Sequence, residues 1–524
     1  MKFIPIALTL LAGSTAFAQA PAPLHVGKVL VRSLDVYTAS EASRGLFYRT
    51  ADRLHIETKQ SVIESFLLFH EGDEYRPERL AETERNLRAL RFLKSATVVA
   101  SPPHDGVVDV TVTTQDAWSI SPETQGGSKG GSSTYGINLS DGNIFGYAKD
   151  LSIGWDKGAD RTRSAIEYND PSFFAPYWNA KVRFASNSDG YEHKVVIKRP
   201  FFSFATPWSA DFSYDGFRQQ DKLYIGGFPL DQFGQLHRQA VVSFGRALDP
   251  NDVLANRVTV GLRAVRDQFF ESESSFAAAP AMRDFRYVFV RYDRVENDFL
   301  KLNFVNKDLR YEDFNLGRQI SAEAAVSPSA LGVDRTTGFV RMSVADGRRV
   351  SEDGFILPSF SAETRLDSGP QNAIARSSLT FVHRQDVGDY PRTLVARATA
   401  ISGWNVDRDV QFFADGVTGL RGYRMHTFVG DRALIVNVEE RLYLGREILQ
   451  LVSPGVVAFA DFGNATNGGV ADLMHLKSDV GIGFRMGLPR TPKNLLRLDL
   501  AYALNRDPLG RRGWLVSFSS GQAF

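Results

Sequence analysis

The sequence predicts an all-β transmembrane barrel preceded by one small α+β domain, and three observations predict this fold class. From about Trp118 onward, segments of alternating polarity are separated by Gly, Asn, Asp and Pro, which is typical of antiparallel strands with one apolar face. Aromatic residues crowd the ends of these segments, as at residues 173–178, and aromatic girdles flank the apolar band of membrane barrels. The chain also begins with the features of an export signal.

The composition excludes several functional classes. The chain has 524 residues, with 61 Lys and Arg against 60 Asp and Glu, a formal charge of +1, and no Cys. A nucleic-acid-binding protein would show a basic surplus, and a chain without Cys has no disulfides, thiolate metal sites or thiol nucleophiles. After the N-terminus there is no apolar run of the roughly 18 residues that a membrane helix needs. We therefore expect no nucleic-acid partner and no helical membrane protein.

Residues 1–18 predict a signal peptide. Lys2 provides the positive start, residues 4–12 form an apolar stretch, and Ala-Phe-Ala at 16–18 fits the small-x-small cleavage rule before Gln19. We expect the mature protein to leave the cytoplasm.

Residues 24–116 predict the small α+β domain, with the element order β-α-α-β-β. Residues 59–69 place apolar side chains on one helical face, and Pro77 opens a second helix. The predicted strands cover residues 26–36, 96–100 and 107–113.

Residues 117–524 predict the barrel. In residues 256–267, Val258, Val260 and Leu262 face one way while the intervening residues face the other. Such segments number roughly sixteen to twenty, and bacterial single-chain barrels have an even number of strands. A soluble sandwich or propeller is the alternative, but the predicted strands are longer than those usual in soluble sheets. Phe524 is expected to close the last strand, which starts near Gly513.

A motif near the C-terminus resembles a known family. Within the long predicted loop 403–432, Leu420, Arg421, Gly422 and Tyr423 resemble the (V/I)RG(F/Y) loop of the BamA/TamA superfamily, outer-membrane proteins of the bacterial surface antigen type. Leu420 departs mildly from the family's Val or Ile. In the family this loop folds into the barrel lumen, so the resemblance implies the same here.

Two later segments fall in the family's order. Residues 436–442 resemble the strand whose inward Glu pairs with the loop arginine, and alternation selects Glu439 and turns Glu440 outward. Residues 459–463 resemble the F-x-D-x-G strand, which implies Asp461 as the second partner. The alternative is that Arg421 is a solvated loop residue and the two carboxylates are ordinary lumen charges.

The resemblance implies a barrel of about sixteen antiparallel strands and a single periplasmic POTRA domain at residues 24–116. It also implies a weak seam between the first and last strands. The residues of the expected seam strand are Gly513, Trp514, Val516, Phe518 and Phe524. The expected location is a Gram-negative outer membrane, with the POTRA domain in the periplasm.

The implied function is insertion or translocation of client polypeptides. Clients in extended conformation would add as strands to the seam and to a POTRA edge strand, at residues 107–113 or 96–100. The expected partners are the outer-membrane lipid bilayer, these clients and a periplasmic protein bound through the POTRA domain. A passive pore or structural surface protein, and a dedicated two-partner-type secretion transporter, are the alternatives. We expect no enzyme, no cofactor and no metal site.

Overall fold

The computed structural model describes residues 23–37, 39–43, 45, 55–272, 275–490 and 495–524. The predicted signal peptide, residues 1–18, lies outside the described residues. None of the helices in the described ranges is long and apolar enough to cross a bilayer.

The first described elements form a three-stranded sheet with helices on one face. They are β1 (His25–Leu34), α1 (Ala39–Ala42), α2 (Gln60–Glu64), α3 (Pro77–Ala89), β2 (Leu93–Ala100) and β3 (Val107–Asp116). The helices connect β1 to β2, and the core between sheet and helices contains Ile63, Leu87 and Val112. The helix α3 begins at Pro77, where the missing N–H costs no hydrogen bond.

The strand order in this sheet is β1-β3-β2, with β1 parallel and β2 antiparallel to β3. The strand β3 is therefore central, and both of its edges are already paired. Of the two candidate edge strands, residues 107–113 cannot accept a further strand, whereas β2 does lie at an edge.

The barrel begins three residues after β3. Its first ten strands are β4 (Ile120–Lys129), β5 (Ser132–Asp141), β6 (Asp150–Lys157), β7 (Thr162–Asp170), β8 (Asn179–Asn187), β9 (Gly190–Arg199), β10 (Trp208–Ile225), β11 (Phe228–Ala247), β12 (Leu254–Glu271) and β13 (Arg283–Glu296). A small hairpin of β14 (Phe299–Leu302) and β15 (Glu312–Asn315) follows.

The second half of the barrel contains one more small hairpin. Its elements are β16 (Gln319–Ser327), β17 (Thr337–Ala345), β18 (Arg348–Ser351), β19 (Gly354–Leu366), β20 (Pro370–Val387), β21 (Tyr390–Trp404), the hairpin β22 (Phe412–Ala414) and β23 (Phe428–Gly430), β24 (Arg432–Tyr443), β25 (Ser453–Thr466), α4 (Val470–Leu473), β26 (Lys477–Gly487), β27 (Leu495–Ala503) and β28 (Trp514–Ser520). Two short 3-10 turns lie at Ile144–Gly146 and Ser329–Leu331.

The described strands close into an antiparallel barrel with twenty positions, so the expected sixteen strands are wrong. The segments β17 and β18 pair one after the other with β19 and share one position. Alternating polarity predicts individual strands, but the circumference depends on how the whole sheet closes. The loop motif and its partners lie in the loop and in the five strands that follow it. They therefore contain no information about how many strands precede the loop.

Side chains alternate between the lumen and the outside along every barrel strand. In β12, Val260 and Leu262 face outward and are exposed, and their cross-strand neighbours in β11 and β13 are apolar as well. Glu440 also faces outward, near the end of β24, where Arg392 of β21 donates hydrogen bonds to its carboxylate. This ion pair explains how an outward carboxylate is tolerated beside the apolar band.

The N-terminal domain lies against one mouth of the barrel, which we call the domain end; the opposite mouth is the far end. Glu82 of α3 accepts a hydrogen bond from the backbone N–H of Phe204 at 2.9 Å. Arg76 and Arg79 bind Asp252 at 3.1 and 3.2 Å. These contacts attach α3 to two barrel turns.

The hairpin β14–β15 also lies at the domain end and enters the lumen. The ring of Phe304 is 5.1 Å from that of Tyr443, and the carbonyl of Val305 accepts a hydrogen bond from the Arg441 guanidinium. Arg88 of α3 binds Asp313 at 2.6 Å. The hairpin thus connects the N-terminal domain to the opposite barrel wall.

Candidate functional site

The segment between β21 and β24, residues 405–431, folds into the barrel at the far end. Leu420, Arg421 and Tyr423 are 0%, 1% and 2% exposed. Leu420 and Tyr423 pack in an apolar cluster with the hairpin β22–β23 and the inward residues of β24 and β25. The packing of Leu420 and Tyr423, which lie on either side of Arg421 in the sequence, therefore places Arg421 in the lumen.

The guanidinium of Arg421 contacts three carboxylates. Its Nε and Nη2 donate to the two carboxylate oxygens of Asp461 at 2.7 and 2.8 Å, and its Nη1 donates to Glu439. This is the bidentate fork geometry that makes Arg–carboxylate pairs strong and directional. A third carboxylate, that of Asp499, lies 3.7 Å from Nη1. The structure thus brings the three residues Arg421, Glu439 and Asp461 together.

Further charged side chains surround Arg421 and its carboxylates, and the positive and negative charges of the whole cluster balance. Arg441 donates to Glu439 at 2.6 Å, Arg485 donates to Asp499 at 2.5 Å, and Arg497 lies 3.7 Å from Asp499. With Asp479, which is also buried, the cluster in the described chain contains four guanidinium groups and four carboxylates. Sequence reasoning missed Arg485, Arg497, Asp499 and Asp479, which the structure places at inward positions of β26 and β27.

Contacts other than ion pairs attach the loop as well. The Arg421 guanidinium carbon lies 3.5 Å from the centre of the Phe459 ring, a cation–π distance. Asn437 Nδ2 donates to the loop carbonyl of Gly419 at 2.7 Å. The Tyr423 hydroxyl donates to the backbone carbonyl of Ser478 at 3.0 Å.

Gly422 is required by close packing. A Cβ at this position would lie 2.6 Å from Cβ of Asp479 and 3.0 Å from the backbone nitrogen of Ala503. Its φ angle is not among the left-handed values, so the lack of space for a side chain, and not the backbone conformation, explains this glycine.

The loop crosses the far end and reaches the opposite wall. Arg283 of β13 binds Asp407 and Asp409 of the loop at 2.7 and 2.8 Å. The ring of His426 stacks on Tyr224 at the tip of β10, with 3.6 Å between centroids. The loop therefore connects strands on both sides of the barrel.

The loop also contacts the first barrel hairpin. The backbone N–H of Met425 donates to the carbonyl of Gly130, in the turn between β4 and β5, at 2.8 Å. Gly130 and Gly131 have φ angles of +56° and +69°, which glycine adopts readily. A substituent at Gly130 would lie 2.5 Å from the Met425 nitrogen.

The first and last barrel strands meet at a weak seam. Within the described residues, one ladder pair, Ser128 with Phe518, joins β4 to β28. By contrast, seven pairs join β27 to β28 and ten pairs join β4 to β5. Because each ladder pair contributes backbone hydrogen bonds, the seam has the fewest such bonds of the lateral contacts between the described barrel strands.

The expected seam residues divide into two groups. Trp514, Val516 and Phe518 face outward on β28, and Gly513 directly precedes that strand. Phe524 does not belong to it: the chain turns at Gly521, with φ +79°, and enters the lumen. There the Phe524 ring lies 5.9 and 5.6 Å from the guanidinium carbons of Arg421 and Arg441.

No site for a metal ion is present among the residues that the structure describes: no three His, Asp or Glu side chains are suitably arranged.

No protein-family model and no curated protein matches the chain. Among solved structures, CdiB from Acinetobacter baumannii is similar over 95% of this chain and 74% of its own, with a TM-score of 0.48 and 12% identity. CdiB from Escherichia coli is similar over 98% and 92%, with a TM-score of 0.45 and 11% identity. BamA from Haemophilus ducreyi lacking POTRA domains 1–3 is similar over 94% and 84%, with a TM-score of 0.37 and 10% identity. At these values the likeness does not assign the chain to a family.

Proposed function

We propose that this chain is an outer-membrane barrel that inserts or translocates client polypeptides by strand addition at the seam between β4 and β28. The domain end would face the periplasm, and the N-terminal domain would act as a POTRA-like module that receives extended clients. The observation that carries the proposal is that, in the part of the chain that the structure describes, a single ladder pair joins β4 to β28.

A weak seam favours strand addition for a physical reason. Opening it breaks one pair, whereas opening a neighbouring contact breaks seven or ten. The backbone N–H and C=O groups exposed on β4 and β28 can then form hydrogen bonds with a client strand. In the bilayer core, where water is absent, such a strand is the partner these groups need.

The N-terminal domain offers a second edge at β2. A cavity of 380 Å³ lies beside this strand and is lined by α3 and by the hairpin β14–β15. The outward N–H of Val98 is occupied by the Glu84 carboxylate at 2.9 Å, which Lys301 also contacts at 2.9 Å. A client strand at β2 would replace Glu84 as the partner of this N–H.

The loop 405–431 would connect the β4–β5 hairpin, beside the seam, to β24 and β25. Arg421 attaches it to β24 and β25, while Met425 attaches it to the β4–β5 hairpin. In this arrangement the loop restrains β4, and its release would let the seam open.

A passive pore is the less favoured function, because chain segments cross both mouths. The loop 405–431 covers the far end, and the β14–β15 hairpin with the N-terminal domain covers the domain end.

A disulfide across the seam tests the proposal, since the chain has no natural Cys. Ser128→Cys with Phe518→Cys would be oxidised after assembly in isolated outer membranes, with photo-crosslinkers at Val516 on the seam strand and Val99 on β2. We expect discrete polypeptide adducts at Val516 in reduced membranes and their loss on oxidation, while adducts at Val99 persist.

The matched control is Ile482→Cys with Leu500→Cys, an outward pair between β26 and β27, whose oxidation should leave the adducts intact. Lipid adducts alone at both positions, together with a steady single-channel conductance, would contradict the proposal and favour a pore. The number of trapped polypeptides would distinguish one dedicated partner from many clients.

A further inference from the structure

Four arginines face outward on four neighbouring strands near the far end of the barrel. They are Arg218 of β10, Arg238 of β11, Arg266 of β12 and Arg286 of β13, and all four are exposed. Arg238 and Arg266 are directly opposite each other in the ladder. Arg218 and Arg286 are the diagonal neighbours on either side. We call these four residues the arginine row.

The arginine row has a surplus of positive charge. Asp284 is the carboxylate within reach, 4.0 Å from Arg266 and 3.6 Å from Arg286. Among the described residues, Arg218 and Arg238 have no ion-pair partner. Like charges directly opposite each other destabilise a sheet, so a bound anion would offset the repulsion between Arg238 and Arg266.

The row lies at one boundary of the outward apolar band. On β11, Arg246 and Arg238 both face outward with apolar outward residues between them. Eight residues of strand span about 27 Å, which at a strand tilt of about 35–45° is about 20 Å along the barrel axis. The apolar band of outer-membrane barrels is about 25 Å tall. The backbone of the row therefore lies a few Å inside the far edge of the band, and from there the long Arg side chains reach the level of the lipid headgroups.

An apolar groove lies directly beneath the row on the same four strands. It has a volume of 660 Å³. Its lining includes the outward side chains of Phe212, Val242, Phe244, Val260, Leu262 and Val288. The small side chains of Ala240 and Ala264 lie opposite each other between the groove and the pair Arg238–Arg266, so the surface is open from one to the other.

Aromatic side chains flank the row on the β9 side. The rings of Tyr191, His193 and Tyr214 stack in sequence, with centroid distances of 5.7 and 5.3 Å. Amphipathic rings of this kind favour the membrane–water interface.

We propose that β10–β13 form a binding site for the phosphorylated, multiply acylated glycolipid of the outer leaflet, lipid A. The guanidinium groups of the row bind its phosphates as bidentate donors, and the groove accepts acyl chains. This site rests on the proposed outer-membrane location and orientation, which place the far end at the outer leaflet, but it does not depend on client transport.

The test uses the purified full-length mature protein in detergent, titrated with bisphosphorylated lipid A and monitored by native mass spectrometry. We expect Arg238→Gln with Arg266→Gln to weaken binding at least tenfold. The matched control is Arg246→Gln with Arg294→Gln, which removes two outward arginines at the other boundary of the band and should leave the affinity unchanged. Heat-modifiability of each variant reports whether the barrel is folded.

Three results would overturn the site. One is equal affinity in the two double variants, and another is equally tight binding of dephosphorylated lipid A. The third is equally tight binding of phosphatidylglycerol, which would indicate general attraction of anionic lipids. A failed seam experiment with intact lipid A binding would reject the transport proposal alone, and the converse would reject only the lipid site.

Discussion

At the scale of single residues, the burial of Arg421 carries a high desolvation cost, which its hydrogen bonds and ion pairs offset. Removing a guanidinium and its carboxylates from water is expensive, and the interior attraction offsets this only when geometry and hydrogen bonding are complete. Here Asp461 accepts two donors of the fork, Glu439 accepts a third, and Phe459 covers one face of the guanidinium. The contact therefore fixes the loop position more than it adds net stability.

Replacing Arg421 should be strongly destabilising, because it leaves Asp461 and Glu439 buried without their main partner. For Arg421→Ala we expect a loss of about 3–5 kcal/mol in barrel stability, measured by urea unfolding of the refolded protein with heat-modifiability as the readout. The control is Arg348→Ala, which removes an exposed guanidinium 3.8 Å from Asp346 and should leave the transition unchanged. Equal transitions for the two variants would show that the Arg421 contacts do not hold the loop 405–431 in the lumen.

At the scale of elements, α3 is the contact helix between the N-terminal domain and the barrel. Glu82 binds the β9–β10 turn, Glu84 binds the β2 edge, and Arg88 binds the β14–β15 hairpin. Three side chains within two helical turns thus contact three different elements. A change in any of these contacts alters how the domain lies on the barrel.

The attachment of α3 should weaken as pH rises. Burial raises the pKa of Glu82 to about 7 from its ordinary value of 4.5, although the Phe204 N–H and Arg85 act in the opposite direction. Because the folded state holds this proton more tightly than the unfolded chain, the contribution of Glu82 to stability is lost as pH rises from 4.5 through 7.

Hydrogen exchange of α3 in the intact protein measures this dependence. We expect stronger protection at pH 5 than at pH 8, and a flatter profile for Glu82→Gln, which keeps an acceptor for Phe204 without the charge. Protection that increases with pH in the wild type would contradict the assigned cause.

The β2 edge should become more available when Glu84 is removed. In Glu84→Ala the N–H of Val98 loses a charge-assisted hydrogen bond, which is worth about 1.5–3 kcal/mol. We expect roughly tenfold tighter binding of an extended peptide of alternating polarity, measured by fluorescence anisotropy. Glu78→Ala is the control, since Glu78 is an exposed residue of the same helix; an equal gain there would exclude the edge as the binding surface.

At the scale of the whole molecule, the barrel encloses a polar lumen. The loop 405–431 crosses it at the far end, and the β14–β15 hairpin enters it at the domain end. Inward arginines and carboxylates form contacts with the loop at the far end and with the hairpin at the domain end. The Phe524 ring reaches the same cluster from the C-terminus. Loop, hairpin and terminus therefore meet around Arg421 and Arg441.

Replacing residues 406–429 by a short Gly-Ser linker should open the far end. We expect a several-fold rise in single-channel conductance in planar bilayers, because the segment that crosses the mouth is gone. Replacing residues 467–476, a loop that packs on β24 and β25, should leave the conductance as in the wild type. An unchanged conductance after the first replacement would show that other segments close the barrel.

Local pattern predicted much of this protein. Alternation in β12 and β24 identified strands and the two sides of each, because the side-chain period of two is set by the backbone. The parity of residues 436–442 selected Glu439 as inward and Glu440 as outward, and the structure places both accordingly. The short motif at residues 420–423 indicated the loop that enters the lumen.

Tertiary structure decided the rest, because closure and long-range contact are properties of the assembled sheet. The twenty strand positions depend on the circumference at which the sheet meets itself. The central position of β3 depends on a pairing between β1 and β3, which lie far apart in sequence. The weak seam joins residues 128 and 518, and the inward turn of Phe524 depends on a cluster built from several strands. Alternation is a local consequence of backbone geometry, whereas such pairings depend on which surfaces the closed barrel brings together.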